Sequence, residues 1–178
     1  MHPTVEVDET YWGTEEEGMI GRQTEHKALI IVAVECLDKK IGRIRMRRIP
    51  DTSRDSLHGF IKEAIESGTT ARMDGLNAYL SMEGYVHDRQ IQRHQVEGEH
   101  LLPHVHQVVS LLKRWLLGTH QGAIGHDYLD YYLDKLTFRF NRRTSRSCGK
   151  LFYRLLQQVV QVDPVPYHSI IGGKNDTD

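Results

Sequence analysis

Hydrophobic and polar residues alternate with the period of a strand in the first part of the chain. This alternation predicts a first strand over residues 4–11 and a third strand over residues 41–49. Between them, residues 27–35 form an apolar run flanked by charge, which is typical of a central strand buried on both faces. The links are short, so we expect three consecutive antiparallel strands.

Beyond residue 50 the apolar positions recur every three or four residues, which is the period of a helix. Ser53 or Thr52 can cap the first helix, and Gly68 is expected to end it. The remaining predicted elements are a strand at 69–73, a short helix at 77–83, a strand at 85–93 and two helices at about 102–117 and 127–140.

This order of elements predicts an α/β fold of the ribonuclease H-like type. We expect a mixed five-stranded sheet, made of three antiparallel strands plus two crossover strands and flanked by helices. Residues 1–160 are expected to form one domain with a core of its own. Residues 161–178 are expected to form a Pro- and Gly-rich C-terminal tail that is loosely held.

The charge of the chain is informative only through its distribution. The net charge of −1 over 178 residues argues neither for nor against a nucleic-acid partner. Residues 139–154 are strongly basic, whereas the N-terminal part of the chain is acidic. A basic patch beside a cation-binding acidic site would suit a DNA substrate, although a solvated face explains the patch alone equally well.

The two cysteines and the apolar runs bear on the compartment in which the protein acts. Cys36 and Cys148 are far apart and have no CxxC spacing, so we expect free thiols in a reducing cytoplasm. No apolar run approaches the roughly 18 residues that a membrane span needs. We therefore expect a cytoplasmic protein without membrane contacts, and we expect no nucleotide cofactor.

Two isolated aspartates and one helix carry the candidate chemistry. Asp8 lies within the first predicted strand and Asp74 follows the strand at 69–73. A carboxylate among apolar strand residues is costly to bury unless a cation or a hydrogen bond compensates it. In the helix from residue 102, His106 and Lys113 are seven positions apart and hence on one face. The aspartates and the histidine could bind two divalent ions for phosphoryl transfer, and the lysine could contact a substrate phosphate.

The residues alone leave alternatives open. An aspartate at a strand end is most often a turn or capping residue, and Lys113 alone would be a solvated helix lysine. Three other residues compete with His106 for the third ligand position, namely His104, Glu97 and Glu99. An imidazole ligand tilts the site toward Mn²⁺ relative to an all-oxygen set, so we expect two ions of Mg²⁺ or Mn²⁺.

Five segments carry a resemblance that neither composition nor periodicity provides. They are VEVDETYWG at 5–13, GRQTEHKALIIVAVE at 21–35, MDGLNAY at 73–79, HVHQVVSLLKRWLLGTHQG at 104–122 and YLDKLTFRFNRRTSRSCGKLFYRLL at 132–156. In this order they closely resemble the catalytic domain of bacterial insertion-sequence transposases of the ISXO type, members of the DDE superfamily. The resemblance spans nearly the whole chain.

The resemblance implies metal-dependent cleavage of DNA at the end of an insertion sequence, followed by transfer of the freed 3′-hydroxyl end to target DNA. It implies Asp8 and Asp74 as the first two ligands and, because Lys113 follows seven positions later, His106 as the third. The implied partners are the element ends, target DNA and further copies of the chain in a homo-oligomer. The residues that we expect to contact DNA are Lys113, Arg114, Arg139, Asn141, Arg142 and Arg143.

The chain departs from the pattern of the family in several places. Lys135 stands where an acidic residue is expected, and Thr14 replaces a glycine. No zinc-ribbon or helix-turn-helix module precedes the first strand, so we expect a truncated copy, a domain fragment or a degenerate remnant, without the module that recognises element ends. The alternative functions are an inactive remnant that acts as a DNA-binding or assembly module, and another nuclease on the same fold. We expect five aromatic residues to pack in the core: Trp115, Phe138, Phe140, Phe152 and Tyr153. For Trp12 we expect a core or rim position, and stacking on a flipped base near the cleaved bond is the alternative.

Overall fold

Nine helices and strands are assigned in the part of the chain that the structure describes, a computed structural model covering residues 4–13, 27–73, 84–89, 102–121 and 124–164. The strands are β1 (Thr4–Trp12), β2 (Ala28–Leu37), β3 (Lys40–Ile49), β4 (Thr70–Met73) and β5 (Val86–Arg89). The helices are α1 (Arg54–Ala64), α2 (Pro103–His120), α3 (His126–Asn141) and α4 (Cys148–Val159).

The strands form one mixed sheet in the order β3-β2-β1-β4-β5. β1 pairs antiparallel with β2, and β2 pairs antiparallel with β3. β4 returns through α1 and pairs parallel with β1, and β5 pairs parallel with β4. The predicted α/β class, with antiparallel strands extended by crossover strands and flanked by helices, is therefore confirmed.

Two hydrophobic clusters cover the two faces of this sheet. β2 is buried on both faces, as its unbroken apolar run predicts: Ile30 and Val32 belong to one cluster, and Leu29 and Ile31 to the other. The first, which we call the α2 cluster, contains the apolar stripes of α2 and α3, and the second, which we call the α1 cluster, contains that of α1. The sheet therefore separates α1 from the helices that carry the candidate chemistry.

The alternation of β1 decides which of its side chains meet which helix. Val5 and Val7 lie in the α1 cluster. Because side chains of a strand alternate between faces, Glu6 and Asp8 lie together on the opposite face, where α2 packs. Trp12, on that same face, is buried in the α2 cluster, so the expectation that it is a core residue is confirmed.

Helix α1 begins as predicted but ends earlier. The N–H of Ser56 donates to the side-chain oxygen of Ser53 at 3.3 Å, which makes Ser53 the N-cap. The helix ends at Ala64 because Ile65 turns to an extended conformation and buries its side chain in the α1 cluster. The prediction that Gly68 ends the helix is wrong: Gly68 lies farther on, with φ of 88°, in the turn before β4.

Helix α3 packs beside the edge strand β3. At its C-terminal end, the side-chain amide of Asn141 accepts the Ile44 N–H at 2.7 Å and donates to the Ile44 carbonyl at 2.9 Å. The amide thus takes the place of a neighbouring strand at this point, which satisfies backbone groups that an edge strand leaves open. Trp115 and Phe140 pack against the same cluster, as predicted.

Contacts divide the chain into two compact units, residues 1–141 and residues 142–178. The second unit contains α4, which was not predicted; Ser147 caps it by accepting the Lys150 N–H at 3.3 Å. Phe152 and Tyr153 on this helix are 62% and 61% exposed, so the prediction that they pack in the core is wrong. The assignment of residues 1–160 to one catalytic domain and 161–178 to a tail stays a prediction.

Several predictions concern residues outside the described ranges. They are Thr14, Asp74, the helix at 77–83, the alternative ligands Glu97 and Glu99, and the tail from residue 165. Among the described residues, no helix is long and apolar enough to cross a membrane.

Candidate active site

Strand β1 and helix α2 bring Asp8 and His106 together. Asp8 Oδ2 lies 3.3 Å from His106 Nε2, and Asp8 Oδ1 accepts the N–H of Glu9 at 2.9 Å. The Asp8 side chain is 20% exposed and that of His106 is 50% exposed. The pair is therefore partly open to solvent, where a large substrate can reach it, and the two residues are 98 positions apart in sequence.

A buried carboxylate holds the first turn of α2 against β1. Glu6 is fully buried, and its Oε2 accepts the N–H of His104 at 2.8 Å and that of Val105 at 2.9 Å. Leu102, the N-cap residue, provides no side-chain hydrogen bond. Glu6 therefore satisfies N–H groups that a helix start leaves without partners, and its negative charge faces the positive end of the helix dipole.

This attachment determines where His106 stands. Glu6 and Asp8 are two positions apart on one face of β1, and His104 and His106 are two positions apart in the first turn of α2. Glu6 binds the start of the helix, and Asp8 therefore lies beside the imidazole of His106. The structure brings His106 to Asp8, whereas the Nδ1 of the alternative ligand His104 lies 2.8 Å from Glu6 Oε1.

The strand that precedes Asp74 lies directly beside β1. Met73, the last residue of β4, pairs with Val7 in the parallel register. Asp74 itself lies outside the described residues, so its side chain is not part of the geometry described here. The register therefore places the strand that precedes Asp74 next to the strand that carries Asp8.

Lys113 lies two helical turns beyond His106 in α2 and is exposed. Seven residues of α-helix advance roughly 10 Å along the axis and return to nearly the same face. A lysine at that distance can bind a phosphate of a substrate that extends along the helix from the Asp8–His106 pair.

The other residues expected to contact DNA lie in different environments. Arg114 and Arg139 are exposed on α2 and α3. Asn141 is engaged through both atoms of its amide by the backbone of Ile44. Arg142 and Arg143 belong to the second unit, residues 142–178.

Lys135, the departure from the family pattern on α3, has a local partner. Its Nζ lies 5.9 Å from the centre of the Trp115 ring, within the range of a cation–π interaction. Trp115 also meets His120 edge-on at 5.0 Å between ring centres. The lysine thus contacts an aromatic group that connects α2 with α3.

Two residues near the site were missed by the sequence reasoning. Glu6 carried a signal, because a charged residue two positions before Asp8 in an apolar strand must share its face. Cys36 lies near Glu6, and its burial, followed by the negative charge of Glu6, raises the pKa of the thiol to about 12. No sequence pattern connects Cys36 with the helix start, because the contact depends on the pairing of β1 with β2.

The donor atoms of the Asp8–His106 pair fit a divalent cation. A carboxylate oxygen and an imidazole nitrogen 3.3 Å apart can bind one ion together, and the half-exposed imidazole leaves room for water or a phosphate oxygen. An oxygen and nitrogen donor set suits Mg²⁺ or Mn²⁺, with the nitrogen favouring Mn²⁺.

Comparison with known proteins identifies the family and the fold of the chain. Residues 2–141 match the family model of the ISXO2-like transposase domain. The catalytic core domain of BIV integrase is a similar solved structure, with a TM-score of 0.52 and 14% sequence identity over 89% of this chain and 96% of that chain. At this identity the likeness shows the fold alone. No curated protein sequence gives a significant match.

The family match covers most of the chain and includes β1, α2 and α3, so the predicted resemblance is confirmed. The fold agrees with that of a ribonuclease H-like core, and members of such families act on DNA with divalent metal ions. The chain belongs to the ISXO2-like transposase domain family, and it is the catalytic domain of a DDE transposase, a polynucleotidyl transferase.

Proposed function

We propose that Asp8, Asp74 and His106 hold two ions of Mg²⁺ or Mn²⁺ for cleavage of insertion-sequence ends and transfer of the cleaved strand to target DNA. The observation that carries the proposal is the 3.3 Å approach of Asp8 Oδ2 to His106 Nε2. The family match supports the class of reaction, and the register of β4 beside β1 supports a place for Asp74 next to Asp8.

In this proposal the protein holds the two ligands Asp8 and His106 in position for metal binding. Asp8 and His106 are held by a strand and by the first turn of a helix, so their donor atoms need little rearrangement. The Glu9 N–H fixes one oxygen of Asp8 and leaves the other directed at the imidazole. When bound, divalent ions activate the attacking water or hydroxyl and stabilise the leaving oxygen.

Lys113 and two arginines are proposed to bind the DNA backbone. Lys113 shares the His106 face of α2, and Arg114 and Arg139 are exposed on the helices that pack over this side of the sheet. Positive groups near the cation site would hold phosphates on either side of the cleaved bond. Arg142 and Arg143 continue the basic segment in the second unit. Transfer of two element ends to one target would require a homo-oligomer.

A strand-cleavage assay on a duplex that carries an element end tests the proposal. With Mg²⁺ or Mn²⁺ the unmodified protein should cleave one strand, and Asp8→Asn and Asp74→Asn should each lower the rate by about a hundredfold or more. Glu63→Gln, which removes an exposed carboxylate from α1 on the other face of the sheet, is the matched control and should cleave normally.

Binding and folding measurements separate the possible failures. Folded protein that binds Mn²⁺ and DNA without cleaving would identify an inactive remnant that serves as a binding or assembly module. Equal rates for Asp8→Asn and the unmodified protein would show that the metal centre lies elsewhere.

A further inference from the structure

A second group of potential ligands lies next to the Asp8–His106 pair. One donor atom from each of Glu6, Cys36 and His104 lies within 4.8 Å of the other two. We propose that these three side chains form a separate site for a thiophilic divalent cation such as Zn²⁺. The proposal concerns a different cation and a different set of ligands from the catalytic site, and it does not depend on that site being active.

Three elements of the first unit deliver these donors. Glu6 comes from the middle of β1, Cys36 from the end of β2, and His104 from the first turn of α2. Glu6 pairs with Val34 in the antiparallel register, and alternation puts Cys36 on the same face as Glu6. The Glu6 side chain is completely buried and that of His104 is 18% exposed, and Cys36 is half-buried, so the three donors lie mostly away from solvent.

The hydrogen bonds around Glu6 leave one oxygen available for a cation. Glu6 Oε2 is used by the two backbone N–H groups of α2, and those bonds can persist when a cation binds. Glu6 Oε1 faces His104 Nδ1 at 2.8 Å, an interaction that requires a proton between the two atoms. A cation could take the place of that proton, which would move to His104 Nε2 or to solvent, and draw both atoms toward itself.

The donor set selects the type of cation. Thiolate and imidazole ligands with one carboxylate favour Zn²⁺ over Mg²⁺ and Mn²⁺, which prefer oxygen. Binding would break the S–H bond of Cys36, release its proton to solvent and form a metal–thiolate bond. Three protein ligands would leave the fourth tetrahedral position for water.

A cation at this point would link β1, β2 and the start of α2. Glu6 and His104 are each two positions from a member of the Asp8–His106 pair. Zinc would therefore strengthen the attachment that positions His106 without contacting DNA. A hydrogen-bonded Glu6–His104 pair would cap the helix equally well, but it needs no cysteine beside it.

Cobalt titration of the full chain after chelation tests the proposal. Co²⁺ bound by a thiolate shows a charge-transfer absorption that oxygen and nitrogen ligands do not produce, so the signal reports Cys36 and not the Asp8–His106 pair. We expect one equivalent of Co²⁺ to produce the band and Zn²⁺ to abolish it, whereas Mg²⁺ in large excess should not. Cys36→Ser should lose the band, and Cys148→Ser, the matched control for the other thiol, should keep it.

Two further measurements keep the result unambiguous. In the unmodified protein, Zn²⁺ should slow the alkylation of Cys36 by at least tenfold while Cys148 remains reactive. This measurement does not depend on the folding of any variant. Asp8→Asn should retain the cobalt band even when DNA cleavage is lost, which separates this site from the catalytic one. A missing band in the unmodified protein, a band that survives Cys36→Ser, or unprotected Cys36 would each overturn the proposal.

Discussion

The Glu6 carboxylate of β1 accepts the backbone N–H of His104 at 2.8 Å, so a strand residue caps the helix that carries the candidate ligand. The same oxygen also accepts the Val105 N–H at 2.9 Å. Helix α2 therefore depends for its first turn on a side chain 98 positions earlier in the chain. The contact also explains why Asp8 and His106 meet, because it joins the two elements two positions before Asp8 and one to two positions before His106.

Loss of this cap should destabilise the fold. Glu6→Ala leaves two buried N–H groups without their acceptor, which should lower the free energy of unfolding by about 2–4 kcal/mol. Glu6→Gln keeps an oxygen in place and should cost less. Urea denaturation measures both, with Glu63→Ala as the control; its exposed ion pair with Arg47 should contribute about 1 kcal/mol or less. Equal losses for Glu6→Ala and Glu63→Ala would contradict the capping role.

The sheet could be predicted from the sequence because its signals are local. The unbroken apolar run of β2 and the alternation of β1 and β3 depend only on residues within each strand, and the structure reproduces them. The start of α1 at Ser53 could be predicted for the same reason, since the cap bond spans three residues. The end of α1 could not be predicted, because Ile65 leaves the helix to pack in the α1 cluster, which also contains strand residues far away in sequence.

The site could be predicted only in part. Helical spacing placed His106, and not His104, on the face of Lys113, but spacing cannot show which of the two histidines meets Asp8. That distinction depends on the pairing of α2 with β1, which is a tertiary contact. Cys36 and Asn141 are similar cases, because one approaches Glu6 through strand pairing and the other binds the backbone of the edge strand β3, and neither contact has a local signal.

Replacing His106 by a carboxylate should change the metal preference. His106→Glu gives an all-oxygen ligand set, and oxygen donors favour Mg²⁺ relative to Mn²⁺ more than imidazole does. We expect the ratio of Mn²⁺ to Mg²⁺ affinity to fall by roughly threefold to tenfold. Competition of Mg²⁺ against Mn²⁺, followed by electron paramagnetic resonance, measures this ratio. His58→Gln on α1 is the control, and an unchanged ratio in His106→Glu would argue against His106 as a ligand.

Lys113→Ala should weaken DNA binding and leave Mn²⁺ binding intact. Loss of one phosphate contact should reduce the slope of log affinity against log salt by roughly 0.9. Fluorescence anisotropy at several salt concentrations measures the slope. Lys62→Ala removes an exposed lysine from α1, on the other face of the sheet, and should leave the slope unchanged. If the two variants behave alike, Lys113 does not contact the DNA.

Asn141 and Arg139 lie two positions apart, but replacing Asn141 should lower stability, whereas replacing Arg139 should weaken DNA binding. Asn141→Ala removes both hydrogen bonds to Ile44 and should lower the free energy of unfolding by about 1–3 kcal/mol, with unchanged DNA affinity of the folded protein. Arg139→Ala should alter stability by about 0.5 kcal/mol or less and weaken DNA binding. Thermal unfolding and anisotropy test the pair. Weaker DNA binding by a fully stable Asn141→Ala would instead support the predicted DNA contact of Asn141.

After a chelator has removed metal ions from the protein, the two cysteines should differ in their rates of alkylation. Cys36 has a pKa raised to about 12, chiefly by burial and then by the charge of Glu6, whereas Cys148 is exposed. At pH 8 a pKa near 12 leaves roughly one Cys36 in 10⁴ as the reactive thiolate, a loss that the greater nucleophilicity of that thiolate offsets only in part. Iodoacetamide should therefore modify Cys36 roughly tenfold to a hundredfold more slowly than Cys148.

The alkylation rate of Cys36 should rise with pH. Because pH 8 and pH 9 both lie far below a pKa of about 12, the rate at Cys36 should rise about tenfold between them, as the thiolate fraction does. Peptide mass spectrometry after timed quenching follows both sites in one sample. In urea, where burial and the Glu6 charge no longer act, the two rates should converge. Equal rates at the two cysteines in the folded protein would show that Cys36 is not held in this environment.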